Sequence, residues 1–233
     1  MLDVESLDAW YGQAQVLYGV SLAVGAGECV ALVGRNGAGK STTMKAIMGL
    51  MARRRGRVAF RGRDISALPP YRIGRLGLGW VPEDRRIFTD LTVRENLAVA
   101  RQPAREGAPA WSEEKVYALF PNLARMPDRP GGRMSGGEQQ MLTVARTLMG
   151  NPYLVLLDEP SEGVAPLIVE EMARMIVSLK GEGVSILLSE QNLHFARLVS
   201  DRAVVLEKGE VKFDGAMEAL MHDEALQRTH LSI

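Results

Sequence analysis

The stretch GRNGAGKST, Gly34 to Thr42, limits what this chain can fold into more than any other. It matches G-x-x-x-x-G-K-[ST], with the apolar run CVALV before it and the helical pattern STTMKAIM after it, the strand-loop-helix context that such a loop requires. Glycines at 34, 37 and 39 let the backbone curl, so that successive N–H groups from Gly34, Arg35, Asn36, Gly37, Ala38 and Gly39 into Thr42 face phosphate oxygens. The helix N-terminus adds partial positive charge. Lys40 is placed to reach the β- and γ-phosphates of a nucleotide, and the Ser41 hydroxyl to ligate Mg²⁺. The bland alternative is a Gly-rich turn with a chance lysine.

Further along, YLVLLDEP ends an apolar run in Asp158-Glu159. Two acids after a strand commonly mark a turn or helix start, but ligands in open parallel sheets collect at strand ends. Beside a phosphate loop, Asp158 suits the holding of Mg²⁺ and Glu159 the role of general base toward an attacking water.

ECVALVG, LGLGWVP, YLVLLDE, VSILLSE and RAVVLEKG read as strands, with helical patterns at GKSTTMKAIMGL, PLIVEEMARMIVSLKGEG and NLHFARLVSD between them. The alternation predicts an α/β fold with crossover helices. The opening LDVESLDAWYGQAQVLYGVSLAV reads as strand, turn, strand, a small antiparallel sheet at one edge. From about Thr89 to Gly150 strand signal is weak, and Thr92 with Glu95, and Ser112, are helix-start residues. The expected organisation is a core of residues 1–88 and 151–233 with a helical insertion at 89–150.

Lys plus Arg and Asp plus Glu balance at 28 each, so no global field favours nucleic acid or an anionic membrane. Arg53-Arg54-Arg55 is expected to be a solvated turn. The lone Cys29 sits in an apolar run as a small core residue, which fits a reducing compartment. No apolar run approaches the roughly 18 to 20 residues of a membrane-spanning helix, so the expectation is a cytoplasmic chain, held at a membrane only through a partner.

MSGGEQQMLTVARTLMG places Ser135 and Glu138 as S-x-x-E before an amphipathic helix, a capping box. The Gly136-Gly137 pair costs conformational entropy there unless something approaches the backbone closely. Phosphate loop, SGGEQ and LVLLDEP, in that order, resemble the nucleotide-binding subunits of ABC transporters over essentially the whole chain. The resemblance implies a P-loop, RecA-like core with an N-terminal antiparallel β subdomain and a helical signature subdomain, binding ATP and Mg²⁺. It implies a head-to-tail dimer, in which Ser135, Gly136, Gly137 and Glu138 of one subunit meet the γ-phosphate held by the other. Tyr11, by sequence alone a packed strand aromatic, matches the family's adenine-stacking residue.

VPEDRRIFTDLTVRENL, MSGGEQQML, DEPSEGVAP and SEQN together are similar to the second ATPase subunit of branched-chain amino acid importers, the LivF type. That resemblance implies transmembrane permease subunits, an indirect link to an extracytoplasmic solute-binding protein, and a working heteromer of ATPases rather than a homodimer. The helices after Glu83 would dock the permease. Three positions depart from the wider family: Glu83 stands where a Gln usually faces Mg²⁺, Ala165 where an Asp crosses the dimer, and Gln191 where a His touches the γ-phosphate. Gln191 can orient phosphate and water but does not titrate near neutrality. His194, three residues on, is expected on a helix surface outside the site. Glu83 brings negative charge toward phosphate and is expected to approach only through the metal.

Two other classes stay open: a nucleotide-gated interaction module with negligible turnover, and a soluble ABC ATPase acting on nucleic acid or ribosomes. Lys40, Asp158 and Glu159 argue against the first. A single charge-balanced cassette argues against the second. The transported solute is not written in this chain: branched-chain and other amino acids, urea and short amides all remain.

Overall fold

The computed structural model describes residues 1–231. β1 (Leu2–Tyr11) and β2 (Ala14–Val24) form an antiparallel hairpin; β3 (Cys29–Val33) then leads through the phosphate loop into α1 (Lys40–Ile47). β4 (Arg53–Phe60) pairs with the other side of β1, and β5 (Arg63–Asp64) extends it, giving a four-stranded sheet in the order β2-β1-β4-β5. α2 (Pro70–Arg75) and β6 (Leu78–Val81) follow, then α3 (Val93–Ala100), α4 (Glu113–Leu119), α5 (Pro121–Ala124) and α6 (Gly136–Leu148). The chain returns through β7 (Leu154–Asp158), α7 (Pro166–Gly181), β8 (Ser185–Glu190), α8 (Leu193–Val199) and β9 (Arg202–Glu207). β10 (Glu210–Ala216), α9 (Met217–His222), α10 (Glu224–Leu226) and a wide turn at Gln227–Leu231 close it.

The second sheet has the order β10-β9-β3-β8-β7-β6, parallel from β9 to β6, with β10 as an antiparallel edge. Every residue of β3, β7 and β8 is buried, as a parallel strand covered on both faces requires. The two faces alternate by residue. Leu154 and Leu156 of β7 join Val30, Leu32, Met44 and Ile47 and the inner residues of β1, β2 and β4, while Val155 and Leu157 pack with Leu97, Leu142, Met172 and Phe195 of the outer helices. α1, and with it the phosphate loop, is therefore clamped between two sheets.

The antiparallel sheet is a separate layer over α1, not an extension of the parallel sheet's edge. The arginine run also departs from expectation: Arg53, Arg54 and Arg55 begin β4 rather than a turn. They pair with Trp10, Ala9 and Asp8, and the Arg53 guanidinium lies 4.7 Å from the Trp10 ring centre, a cation–π contact that lets a charged residue occupy a sheet. The expected helix starts are present. Thr92 and Ser135 make capping boxes with Glu95 and Glu138, and Ser112 caps α4. No named strand lies between 82 and 153 among the described residues, and no described helix is long and apolar enough to cross a membrane. Cys29 is buried, and that burial pushes its thiol up to about 12, so it is inert packing.

The turn between β9 and β10 buttresses the phosphate loop. The Gly209 N–H donates to the Ala38 carbonyl at 2.8 Å, and the Gly209 carbonyl accepts from the Tyr18 N–H at 2.9 Å. Gly209 has φ +80°, and a Cβ there would lie 1.9 Å from the Val16 carbonyl oxygen. Gly209→Ala should therefore destabilise the fold by about 2–4 kcal/mol, from left-handed strain plus overpacking. The urea midpoint checks this, and a midpoint equal to that of the unaltered chain would contradict it.

Candidate active site

β3, β7 and β8 lie side by side and end on the same edge of the sheet, so the phosphate loop, Asp158-Glu159 and Gln191 converge through register alone. A cavity of ≈ 470 Å³ opens there, lined by Tyr11, Asn36, Gly37, Gly39, Lys40, Ser41, Thr42, Glu83, Glu159 and Glu162. Tyr11 stands at its mouth, 51% exposed. It is thus a free aromatic face and not the packed strand residue that its sequence context suggested. α1 begins at Gly39 with no side-chain cap, leaving its first N–H groups for an anion.

Lys40 is 3% exposed. Its Nζ donates to the carbonyls of Gly34 (2.8 Å) and Arg35 (3.1 Å) and pairs with Glu159 Oε1 at 2.9 Å. Glu159 sits at φ +45°, a conformation unusual for a side chain with a Cβ, and its other oxygen accepts from Gln191 Nε2 at 3.1 Å. Burial pushes the Glu159 carboxyl up, but hydrogen bonds from Glu162, Lys40 and Gln191 and the Lys40 charge outweigh it and hold the group below the usual range. Asp158, 1% exposed, accepts from the Ser41 hydroxyl at 2.8 Å, and burial raises its pKa despite that bond.

The oxygens of Ser41 and Asp158 are adjacent; Ser41 and Glu83 line this cavity, and Glu83 also lines a smaller neighbouring one with Asp158. No group of three His, Cys, Asp or Glu side chains among the described residues is arranged to hold an ion. The donor set fits Mg²⁺, which keeps several waters and takes phosphate oxygens beside one or two protein ligands.

Gln191 therefore touches Glu159, while His194 is exposed on α8 and lines no part of the cavity. The Ser135–Glu138 turn is also outside it. There the Glu138 carboxylate is engaged in the cap, accepting from the Ser135 N–H at 2.7 Å. The glycine pair has its close approaches: a Cβ on Gly136 would lie 2.9 Å from the Arg85 guanidinium, and one on Gly137 3.0 Å from Ile168. The Arg85 carbonyl accepts from the Thr143 hydroxyl at 3.0 Å, so the segment after Glu83 is tied to α6.

Two carboxylates here escaped the sequence reading. Glu190, at the end of β8, is 2% exposed; its sign was a lone acid closing an otherwise apolar strand, as in β7. Glu162 had no such sign. Its hydrogen bond to Glu159, then burial, then the charges of Glu159, Glu83 and Glu190 push Glu162 up to about 7. Between its ordinary 4.5 and about 7, the folded chain holds a proton there that the unfolded chain has released, so stability falls as pH rises through that window. Glu162→Gln should flatten this fall in urea midpoints measured from pH 5 to 7. Glu162 and Glu159 share this hydrogen bond, so the two titrate as a pair and the variant removes the pair's contribution in this window. An unchanged slope would contradict the assignment.

Comparison with known proteins agrees with this geometry. Residues 17–162 match the family model described as ABC transporter. The chain is 40% identical over 231 residues to the high-affinity branched-chain amino acid transport ATP-binding protein BraG of Pseudomonas aeruginosa, covering 99% of each chain. It is 35% identical to the lipopolysaccharide export system ATP-binding protein LptB of Haemophilus influenzae (99% of this chain, 97% of that one). A probable branched-chain amino acid transport ATP-binding protein LivF of Archaeoglobus fulgidus is 33% identical, covering 100% and 99%. Among solved structures, an ATP-binding subunit of an ABC transporter superposes with a TM-score of 0.80 at 31% identity, covering 100% of this chain and 96% of that one. A loop built to take phosphate, a carboxylate held at its edge and full-length likeness to such subunits lead to one conclusion: the chain belongs to the ABC transporter family, as an ATP-binding and ATP-hydrolysing subunit.

Proposed function

We propose that this chain energises import of branched-chain amino acids, hydrolysing ATP at the cavity above while bound to transmembrane permease subunits on the inner face of the membrane. The observation that carries the hydrolytic part is the grip on Glu159, one oxygen held by Lys40 and the other by Gln191. In this reading residues 1–88 and 151–233 form the core and 89–150 the helical subdomain. The N–H groups from Gly34 to Thr42 cradle the phosphates, and Tyr11 stacks on adenine. Lys40 shifts from Glu159 to the β- and γ-phosphates, which frees the carboxylate to take a proton from the attacking water as ADP leaves. Gln191 orients that water by hydrogen bonds alone. Ser41, Asp158 and Glu83 would hold Mg²⁺, which neutralises charge developing on the phosphates. Ser135, Gly136, Gly137 and Glu138 supply the second anion site to a partner ATPase subunit, consistent with their place outside this chain's own cavity.

The importer direction is supported by full-length likeness to BraG and LivF. The likeness to LptB favours a second reading, export of lipopolysaccharide. Affinity purification of the tagged chain from its native membrane, followed by identification of the permease, the second ATPase and the ligand of the solute-binding protein, separates them. The proposal expects two different ATPase chains and a binding protein that takes Leu, Ile or Val. A homodimeric ATPase with lipopolysaccharide export components would overturn it.

A further inference from the structure

We propose that Glu190 is a positioning residue for hydrolysis: its carboxylate staples the backbone of the loop after Glu159 to the turn that presents Gln191. One oxygen, Oε1, accepts from the Ser161 N–H at 3.1 Å. The other, Oε2, accepts from the Gln191 N–H at 3.2 Å and the Asn192 N–H at 3.3 Å. These three donors are main-chain groups, the Ser161 hydroxyl also draws the Glu190 pKa down, and among the described residues no Lys, Arg or His pairs with Glu190. Asn192 is in turn the cap of α8, its side chain accepting from the Phe195 N–H at 3.1 Å.

The placement explains why a carboxylate stands here. β7 and β8 are neighbours in register Asp158↔Ser189, and the Glu159 N–H donates to the Ser189 carbonyl at 3.0 Å. β7 ends at this row and β8 one residue later at Glu190, which pairs with Val33 of β3; beyond Asp158 and Glu190 neither chain has a ladder partner, and the Gln191–Glu159 side-chain bond of 3.1 Å depends on how the two loops that follow are held. Glu190 is the group that touches both. Burying a charge at 2% exposure is costly, and burial pushes its pKa up, while the hydrogen bonds from Ser161 and Asn192 draw it back. Charge-assisted bonds to three N–H donors offset that cost. An amide of the same size has one acceptor oxygen and an NH₂ group, so Glu190→Gln must turn a donor toward one of the two loops.

The inference rests on the reading of Glu159 as base and Gln191 as its orienting partner, and the test keeps the two apart. In the full chain, kcat and KM for ATP, equilibrium binding of a fluorescent ATP analogue and thermal midpoints are measured for Glu190→Gln, Gln191→Ala, the double variant and Glu159→Gln. A loop misplaced by a fraction of an ångström should lower kcat of Glu190→Gln by about tenfold or more, with KM and analogue binding within about twofold. Adding Glu190→Gln to Gln191→Ala should then cost less than about twofold further, because the two act through one contact. Wild-type kcat in Glu190→Gln, or losses that multiply in the double variant, would overturn the staple. If Glu190→Gln does not fold, Glu190→Asp, which keeps the charge but shortens the reach, should lower kcat without raising KM, and wild-type kcat there would overturn the proposal equally. Wild-type turnover in Glu159→Gln would instead overturn the base, leaving the Glu190–Gln191 cycle to be read on its own.

Discussion

Glu159→Gln is expected to lower ATP turnover by at least about 100-fold while leaving ATP binding within a few-fold of the unaltered chain, the size of a lost general base. Glu159 is 8% exposed, fixed by its own N–H to the Ser189 carbonyl and by side-chain contacts at 2.9 and 3.1 Å to Lys40 and Gln191. Gln has nearly the same shape, and its oxygen can still accept from Lys40. It cannot take a proton from water. The phosphate loop that binds the nucleotide is untouched, so binding and turnover should separate. Phosphate release under saturating ATP, set beside equilibrium dialysis of ATP, reads both; turnover within threefold of the unaltered chain would place the base elsewhere.

Lys40→Ala acts on the other half of the site and should weaken ATP binding on the order of 100-fold, the value of a charged hydrogen bond to phosphate. It also removes the cation whose bond and charge help hold Glu159 below the usual carboxylate range. The sign of the pH effect follows. With a lowered pKa, Glu159 contributes stability that is present above its ordinary 4.5 and lost as pH falls through the lower folded value. The variant lacks much of that contribution, so the stability gap between the two proteins should narrow on acidification below about pH 4.5. Urea titrations at pH 7 and pH 3.5 check this, and a constant gap would mean that the ion pair contributes nothing to the fold.

The parts of this site that could be read from sequence are those where one local segment carries both the backbone and the chemistry. GRNGAGKST is strand end, turn and helix start in nine residues, and β3 ends at Val33 and α1 starts at Lys40 in that order. Asp158 and Glu159 likewise close their own strand, and Ser135 with Glu138 form the capping box that their spacing implied. β4 was missed because its arginines mask the pattern until Val58-Ala59-Phe60, and only the partner strand, with Trp10, shows why charge is tolerated there. The apolar neighbours of Tyr11 alone suggest packing, but a strand's last residue can point past the sheet's edge into open space, as Tyr11 does. Glu190 meets a loop far away in sequence, Ser161 across 29 residues, and no spacing rule reaches that far; Glu162 lies only three residues from Glu159, but the crowding of Glu83 and Glu190 around it exists only in the folded chain. The signature turn was legible as a helix start; the phosphate contact proposed for it would need a second subunit.

Import itself is tested most directly in proteoliposomes holding the purified transporter, loaded with ATP and supplied with the solute-binding protein and radiolabelled leucine, isoleucine or valine. The account predicts accumulation that needs ATP on the side of this chain and stops when Glu159→Gln replaces it. Absence of amino acid uptake from an assembly that hydrolyses ATP, with lipopolysaccharide moved in its place, would contradict it.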